Sequence, residues 1–296
     1  MNDKIIKPKR RGIILAGGSG TRLHPSTIIT SKQLLPIYDK PLIYYPLSVL
    51  MLADIQDILI ITAEKDLYAF QTLFGDGSQF GVSLSYATQH KPEGIAQALL
   101  IGEKFLREKP CALILGDNIF YGHGLGTLLS ETSQFSSKAT IFGYAVEDPE
   151  RFGVVESENE RIISISEKPT SPKSNLAVTG LYFYDEEASS RAKTLKPSMR
   201  GELEITDLNL NYLKDEKIEL KKLGRGFAWF DTGTPDALID ASVFIKTIEK
   251  MQSQKISCPE EIAWRKNWIN DTQLCTLAEK LSKSEYGKCL TKLLDT

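Results

Sequence analysis

Through the first two thirds of the chain, short unbroken apolar runs alternate with amphipathic stretches. "GIILA" (12–16), "DILIIT" (57–62) and "CALIL" (111–115) have the pattern of strands covered on both faces. Between them, 41–53 and 66–74 predict helices, the second closed by the turn "GDGS". "VSLSYATQ" alternates like a strand, and "GIAQALLIGEKFL" repeats Ile95, Ala98, Leu99, Phe105 and Leu106 at helical spacing. Strands separated by helices form βαβ units, so a Rossmann-like, mostly parallel sheet with helices on both faces is expected.

From about residue 140 the texture changes. "TIFGYAV", "GVVES", "IISISEK" and "VTGLYFYD" are short β-rich pieces, predicting an antiparallel region laid against the first sheet. A helix over 206–213 and a strand "FAWFD" follow, and Thr234 as N-cap with Pro235 behind it opens another helix. Beyond Cys258 only helices are expected, in "PEEIAWRKNWI" and "TQLCTLAEKLSK". No repeat or linker divides the chain, which predicts one domain over 12–296 behind a tail over 1–11.

Composition narrows the classes. With 42% apolar and 25% charged residues among 296, the chain reads as globular, and a net charge of -2 argues against nucleic-acid binding through a basic face. Lys4, Lys7, Lys9, Arg10 and Arg11 read as a solvated tail. The longest apolar stretch, "LIYYPLSVLMLA" (42–53), is interrupted by Pro46 and is short of the roughly 18 residues of a membrane span. No signal peptide is expected ahead of the first strand. Four cysteines without CxxC spacing and three scattered histidines give no zinc pattern, and a reducing cytoplasm fits.

The first strand runs into "GGSGTRL". A Walker loop requires a lysine that is absent, and the dinucleotide fingerprint started at Gly18 would need its third glycine at Leu23. What remains is the mechanism both share: backbone N–H groups at a strand-to-helix turn facing anionic oxygens, here with Arg22 added. Lys32, ten positions on, places a second cation on the same phosphates. Asp117 after "CALILG" and Asp231 after "FAWF" are expected at a carboxyl edge of the sheet, where converging carboxylates need a cation between them. A hard divalent ion with oxygen ligands, magnesium, is the expected neutraliser.

These residues carry a resemblance. "LAGGSGTRLHPSTIITSKQLLPIYDKPLIYYPLSVLMLA" resembles the signature of the sugar-phosphate nucleotidyltransferases, LAGGxGTRLxP followed by a lysine in a KQLLP context. "LGDNIFYGHGL", "DPERFGVVE", "EKPTSPKSNLAVTGLYFYD", "KPSMRGELEITDLN", "GRGFAWFDTGT" and "SCPEEIAWRKNWIN" extend the similarity from Gly12 to about Leu294, and they resemble the branch acting on glucose 1-phosphate with dTTP. The resemblance implies a nucleotide-binding part over 12–140, a sugar-phosphate-binding part over 141–235 and a helical extension over 236–296.

It also implies roles. Gly17, Gly18, Gly20, Thr21 and Arg22 would hold the triphosphate with Lys32 as a second cation, Leu15, Ala16 and Gln33 would add nucleotide contacts, and Gln89 and Gly94 would meet the base. Asp117 and Asp231 would hold Mg2+, with Asn118 beside the nucleotide or metal shell. Gly153, Glu167, Lys168 and Val178 would bind the sugar phosphate, although strand neighbours such as Glu167 and Lys168 share a pocket only if the strand ends or kinks there. Lys91-Pro92-Glu93-Gly94 departs from the family's serine-proline-aspartate-glycine wording, and Phe152 stands where tyrosine is common. The implied product feeds deoxysugar and cell-surface polysaccharide synthesis. Trp264, Trp268, Ile262 and Ile269 recur at helical spacing and bury against the core or another subunit; the resemblance, which implies homotetramers and feedback by a dTDP-sugar, favours the subunit. The alternatives are a uridylyltransferase, a non-catalytic nucleotide-sugar sensor and a Rossmann oxidoreductase.

Overall fold

A computed structural model describes residues 9–134, 137–159 and 161–295. In chain order, β1 (Arg11–Ala16) leads through single-turn 3-10 segments to the hairpin β2 (Pro36–Ile37) and β3 (Lys40–Pro41), then α1 (Tyr44–Leu52) and β4 (Asp57–Thr62). α2 (Leu67–Phe74), β5 (Ser83–Thr88), α3 (Gln97–Ile101), α4 (Glu103–Leu106) and β6 (Cys111–Leu115) complete the first part. Next come β7 (Asn118–Gly122), α5 (Leu125–Gln134), β8 (Ala139–Ala145), β9 (Gly153–Glu158), β10 (Arg161–Glu167) and β11 (Leu176–Tyr184). The last part holds α6 (Ala188–Ala192), α7 (Ile205–Lys214), β12 (Ile218–Leu223), β13 (Phe227–Asp231), α8 (Pro235–Gln252), α9 (Pro259–Arg265), α10 (Asp271–Lys280) and α11 (Glu285–Leu293).

β1 lies between β4 and β6 and pairs with both in parallel, Ile14 standing opposite Ile60 and Ile114. Its apolar run is unbroken because both faces are covered: Ile14, Ile58, Ile60 and Ile114 enter one core, while Ile13, Leu59, Ile61 and Leu113 enter the other. The expected antiparallel layer is instead part of the same sheet. β11 pairs antiparallel with β6, with Leu181 opposite Ile114, and carries β8 and β9 into one mixed nine-stranded sheet. Leu181 and Phe183 face one core and Tyr182 and Tyr184 the other, so β11 is an interior strand requiring partners along both edges.

Other boundaries move for local reasons. The predicted 41–53 helix begins at Tyr44 because Lys40 and Pro41 close a hairpin, and Pro46 sits in its first turn, where its missing N–H is harmless. The helix expected after Gly94 splits at Gly102, where a Cβ would lie 2.8 Å from Ile13 Cδ1. "FAWFD" is a strand, but of a separate ribbon with β7, which, like α5 and β12, was not foreseen.

The tail over 1–11 is also corrected. Lys4 and Lys7 lie outside the described residues; Lys9 is exposed, whereas Arg11 opens β1 and Arg10 is 6% exposed. Arg10 donates to the carbonyls of Cys111 (2.7 Å) and Tyr184 (2.6 Å), with its guanidinium 5.1 Å from the Phe183 ring centre. A planar cation with several donors suits this place, where β6 begins and β11 ends, and burial pulls its pKa down to about 10. At the other end, α9 packs on α1, and Ile262, Trp264, Trp268 and Ile269 cover the core of their own chain. Ile269 is buried there, while Ile262, Trp264 and Trp268 each keep part of their surface open.

Candidate active site

A cleft of about 460 Å3 opens beyond the carboxyl end of β6, lined by both candidate aspartates, Arg22, Gly153, Glu167, Lys168 and Val178. Its acidic wall is built by the β7–β13 ribbon. Asp117 is the residue before β7, Asp231 is the last of β13, and Asn118 stands opposite Asp231 in the antiparallel register. Thr232 completes the join, its N–H (3.2 Å) and hydroxyl (2.8 Å) both donating to the Asp117 carbonyl. Asp231 thus reaches the site on this ribbon, not on the main sheet as its strand-end position had suggested.

The carboxylates occupy different surroundings. Asp117 Oδ2 accepts from Lys32 Nζ at 2.7 Å, and its Oδ1 from Asn118 Nδ2 at 2.9 Å. Asn118 Oδ1 accepts from the Gly180 N–H (3.0 Å) and from Trp229 Nε1 (2.7 Å), so Asn118 ties β7, β11 and β13 together while aiming Asp117. Asp231 titrates above the ordinary aspartate range, because burial disfavours its charge and Asp117 repels it, against the pull of Lys32, Arg22 and Arg151. Two converging, partly buried carboxylates form a donor set suited to a hard divalent cation. Among the described residues no group of three or more His, Cys, Asp or Glu could hold a metal, so such an ion would draw its other ligands from water and substrate phosphate oxygens.

The glycine-rich turn leaves β1 beside this wall. Gly20 adopts φ +61, and its carbonyl accepts from Thr27 Oγ1 at 2.7 Å. The segment that follows is a single 3-10 turn, Thr21–Leu23, so the α-helix N-terminus expected there is absent and the available charge is that of Arg22. A Cβ on Gly233 would lie 2.8 Å from Arg22 Nη2, which places that guanidinium against the turn after Asp231. Ala16 ends β1 in the core, and the Leu15 carbonyl accepts from the Gly116 N–H at 2.8 Å. Gly18 has open space around it and Thr21 is exposed. Lys32 is 6% exposed and held on Asp117, and Gln33 is buried against Gly116, its Oε1 accepting from Ser31 Oγ at 2.6 Å.

Gln89 is buried against the loop: a Cβ on Gly17 would lie 2.2 Å from its Oε1. Gly94 has φ +103, and a Cβ there would meet the Leu203 carbonyl oxygen at 2.3 Å. The demand for glycine at 94 therefore comes from the Leu203 segment, which exchanges backbone hydrogen bonds with Glu93 (2.7 Å) and Ala96 (3.2 Å).

At the far end of the cleft, Glu167 ends β10 and Lys168 adopts φ 42. That left-handed step breaks the strand alternation and lets neighbouring side chains line one cavity, their charged ends 3.9 Å apart. Glu167 accepts from Thr206 Oγ1 (2.6 Å) and Arg200 Nη2 (3.2 Å), and a Cβ on Gly153 would come within 3.2 Å of the Thr206 hydroxyl. Sequence reasoning missed Arg151, Thr206 and Trp229, all of which line the cleft. Trp229 was findable, since residues 227, 229 and 231 share a face of β13 and one of them had been chosen. Phe152, lacking a phenol hydroxyl, packs on Trp229 with ring centres 5.2 Å apart.

A doubly wound sheet whose strand ends carry a glycine-rich turn with Arg22, two converging carboxylates and a far wall with Glu167 and Lys168 defines a protein suited to handling phosphate esters. The family model described as "Nucleotidyl transferase" matches residues 11–248. A glucose-1-phosphate thymidylyltransferase of Neisseria meningitidis is 57% identical over 285 residues, 96% of this chain and 99% of its own. One from Mycobacterium tuberculosis is 54% identical over 286 residues, again 96% of this chain and 99% of its own. Among solved structures, one from Bacillus anthracis assigned as a glucose-1-phosphate thymidylyltransferase, in complex with sucrose, superposes with TM-score 0.73 at 44% identity, covering 79% of this chain and 94% of that one. A UDP-glucose pyrophosphorylase complexed with UDP-glucose superposes at 0.71 with 26% identity, covering 80% and 98%. The chain belongs to the nucleotidyl transferase family, within its glucose-1-phosphate thymidylyltransferase branch.

Proposed function

We propose that the chain condenses dTTP with α-D-glucose 1-phosphate to give dTDP-glucose and pyrophosphate. The observation that carries this is the meeting of Asp117 and Asp231 between Arg22 on one side and Glu167 with Lys168 on the other. A phosphate monoester has a second pKa of about 6, so the sugar phosphate is already a dianionic nucleophile near neutrality and needs no side-chain base. The difficulty is the approach of two polyanions. Arg22 grips triphosphate oxygens in a fork, Lys168 holds the sugar phosphate, and Glu167 accepts from sugar hydroxyls, so the attacking oxygen lies in line with the leaving pyrophosphate. Lys32 holds Asp117 in place and adds positive charge beside the triphosphate. Asp117 and Asp231 would hold magnesium, which when bound supplies charge neutralisation between the reactants.

The direct test supplies glucose 1-phosphate and magnesium with dTTP or UTP in parallel and follows pyrophosphate release. Turnover with dTTP is expected; a clear preference for UTP would reassign the nucleotide, and no release with either would indicate a sensor.

The reading extends to a cytoplasmic homotetramer supplying deoxysugar synthesis and inhibited by a dTDP-sugar. Four free cysteines support a reducing compartment, and among the described residues no helix is long and apolar enough to cross a membrane. α8 turns Ile239 (60% exposed) and Val243 (57%) outward one helical turn apart, which supports subunit contact there. Light scattering on the purified chain tests the assembly.

A further inference from the structure

An amide such as Gln89 reads a base edge differently in its two orientations. Thymine and uracil offer an acceptor O4 beside a donor N3–H, whereas cytosine offers a donor N4 amino group beside an acceptor N3. Turned over by half a rotation, the same side chain would match the cytosine edge.

Three hydrogen bonds remove that freedom. Gln89 Nε2 donates to Gln97 Oε1 at 2.6 Å. Gln97 Oε1 also accepts from the Glu93 backbone N–H at 3.1 Å, and Gln97 Nε2 donates to Glu93 Oε2 at 2.8 Å. A backbone N–H cannot accept and a carboxylate cannot donate, so Glu93 fixes the Gln97 amide from both sides. Gln97 then shows only an acceptor to Gln89. An inverted Gln89 would bring two carbonyl oxygens to the 2.6 Å now spanned by the hydrogen bond, in a place where the side chain is 4% exposed and water cannot easily intervene.

We propose that Gln97 is a positioning residue for base selectivity: anchored by Glu93, it holds the Gln89 amide in the orientation that accepts a 4-keto pyrimidine and rejects a 4-amino one. This rests on the reading of Gln89 as the residue that meets the base. Gln97 acts only through Gln89 and touches no substrate.

The test compares kcat/KM for dTTP and dCTP, which share sugar and phosphates, by pyrophosphate release with glucose 1-phosphate and magnesium. Taken as a ratio within one preparation, the value does not depend on the fraction folded. The unaltered chain prefers dTTP, and Gln97→Met, which keeps length but removes the acceptor, lowers the dTTP:dCTP ratio about tenfold or more. Gln97→Glu combined with Glu93→Gln keeps the acceptor facing Gln89 and exchanges the donor and acceptor of the 93–97 side-chain pair, so it keeps the ratio within about threefold of the original. An unchanged ratio in Gln97→Met beside a collapsed one in Gln89→Met overturns the relay and leaves the base-reading role standing. An unchanged ratio in Gln89→Met overturns the base-reading role itself, and equal use of dTTP and dCTP by the unaltered chain overturns the relay.

Discussion

Asp231 sets folding against chemistry within one side chain. Burial and the neighbouring Asp117 raise its pKa, so the folded chain binds this proton more tightly than the unfolded chain does. The sign follows: without metal the ionised group opposes folding at neutral pH, and that opposition fades as pH falls from the raised folded value towards the ordinary aspartate range. Asp231→Asn is therefore expected to raise the Tm of the metal-free protein at pH 7, and calorimetry in chelator checks it; a lower Tm would mean that Lys32, Arg22 and Arg151 outweigh burial. Gly17 makes a complementary case, because a methyl there would lie 2.2 Å from Gln89 Oε1 and 3.0 Å from its Cβ. Gly17→Ala should leave stability within about 1 kcal/mol while raising the KM for dTTP about tenfold, since the displaced atoms belong to a side chain and not to backbone. Steady-state kinetics beside urea unfolding separates the two effects.

Among the elements, the 93–97 turn and the Leu203 segment hold each other in place. Gly94→Ala would need φ +103 from a residue with a side chain and would press its Cβ to 2.3 Å from a backbone oxygen, so a loss of about 2–4 kcal/mol is expected in urea unfolding. What the sequence reveals follows the range of the interactions that make each element. β1, β4 and β6 were legible because each is an unbroken apolar run whose burial on two faces is written locally. β7 was not, since "NIFYG" gains its strand character only from β13, whose Phe230 stands opposite Ile119. Asp117 and Asp231 could be singled out by their place after apolar runs, but the ribbon that joins them could not. Lys168 shows the same limit, as nothing in a lysine announces φ 42, yet that one dihedral decides whether Glu167 and Lys168 share a cavity.

For the whole molecule, β11 joins the two parts that the sequence separates, and Arg10 fastens it to β6. Arg10→Met would leave the carbonyls of Cys111 and Tyr184 without this donor in the core, costing about 2–4 kcal/mol in chemical denaturation while kcat and KM of the folded fraction stay unchanged. The architecture brings Arg22 of the glycine-rich turn, an acidic ribbon and the wall of Glu167 and Lys168 from three distant stretches of chain to one cleft. The central claim is that its two carboxylates jointly hold the cation between the polyanionic reactants. The most direct measurement is the magnesium dependence of pyrophosphate release from dTTP and glucose 1-phosphate in the unaltered chain, Asp117→Asn and Asp231→Asn, with folding verified by circular dichroism. Each substitution is expected to cut turnover by about a hundredfold or more at ordinary magnesium, with higher magnesium restoring it only in part; near-normal turnover by either folded variant at ordinary magnesium would contradict the account.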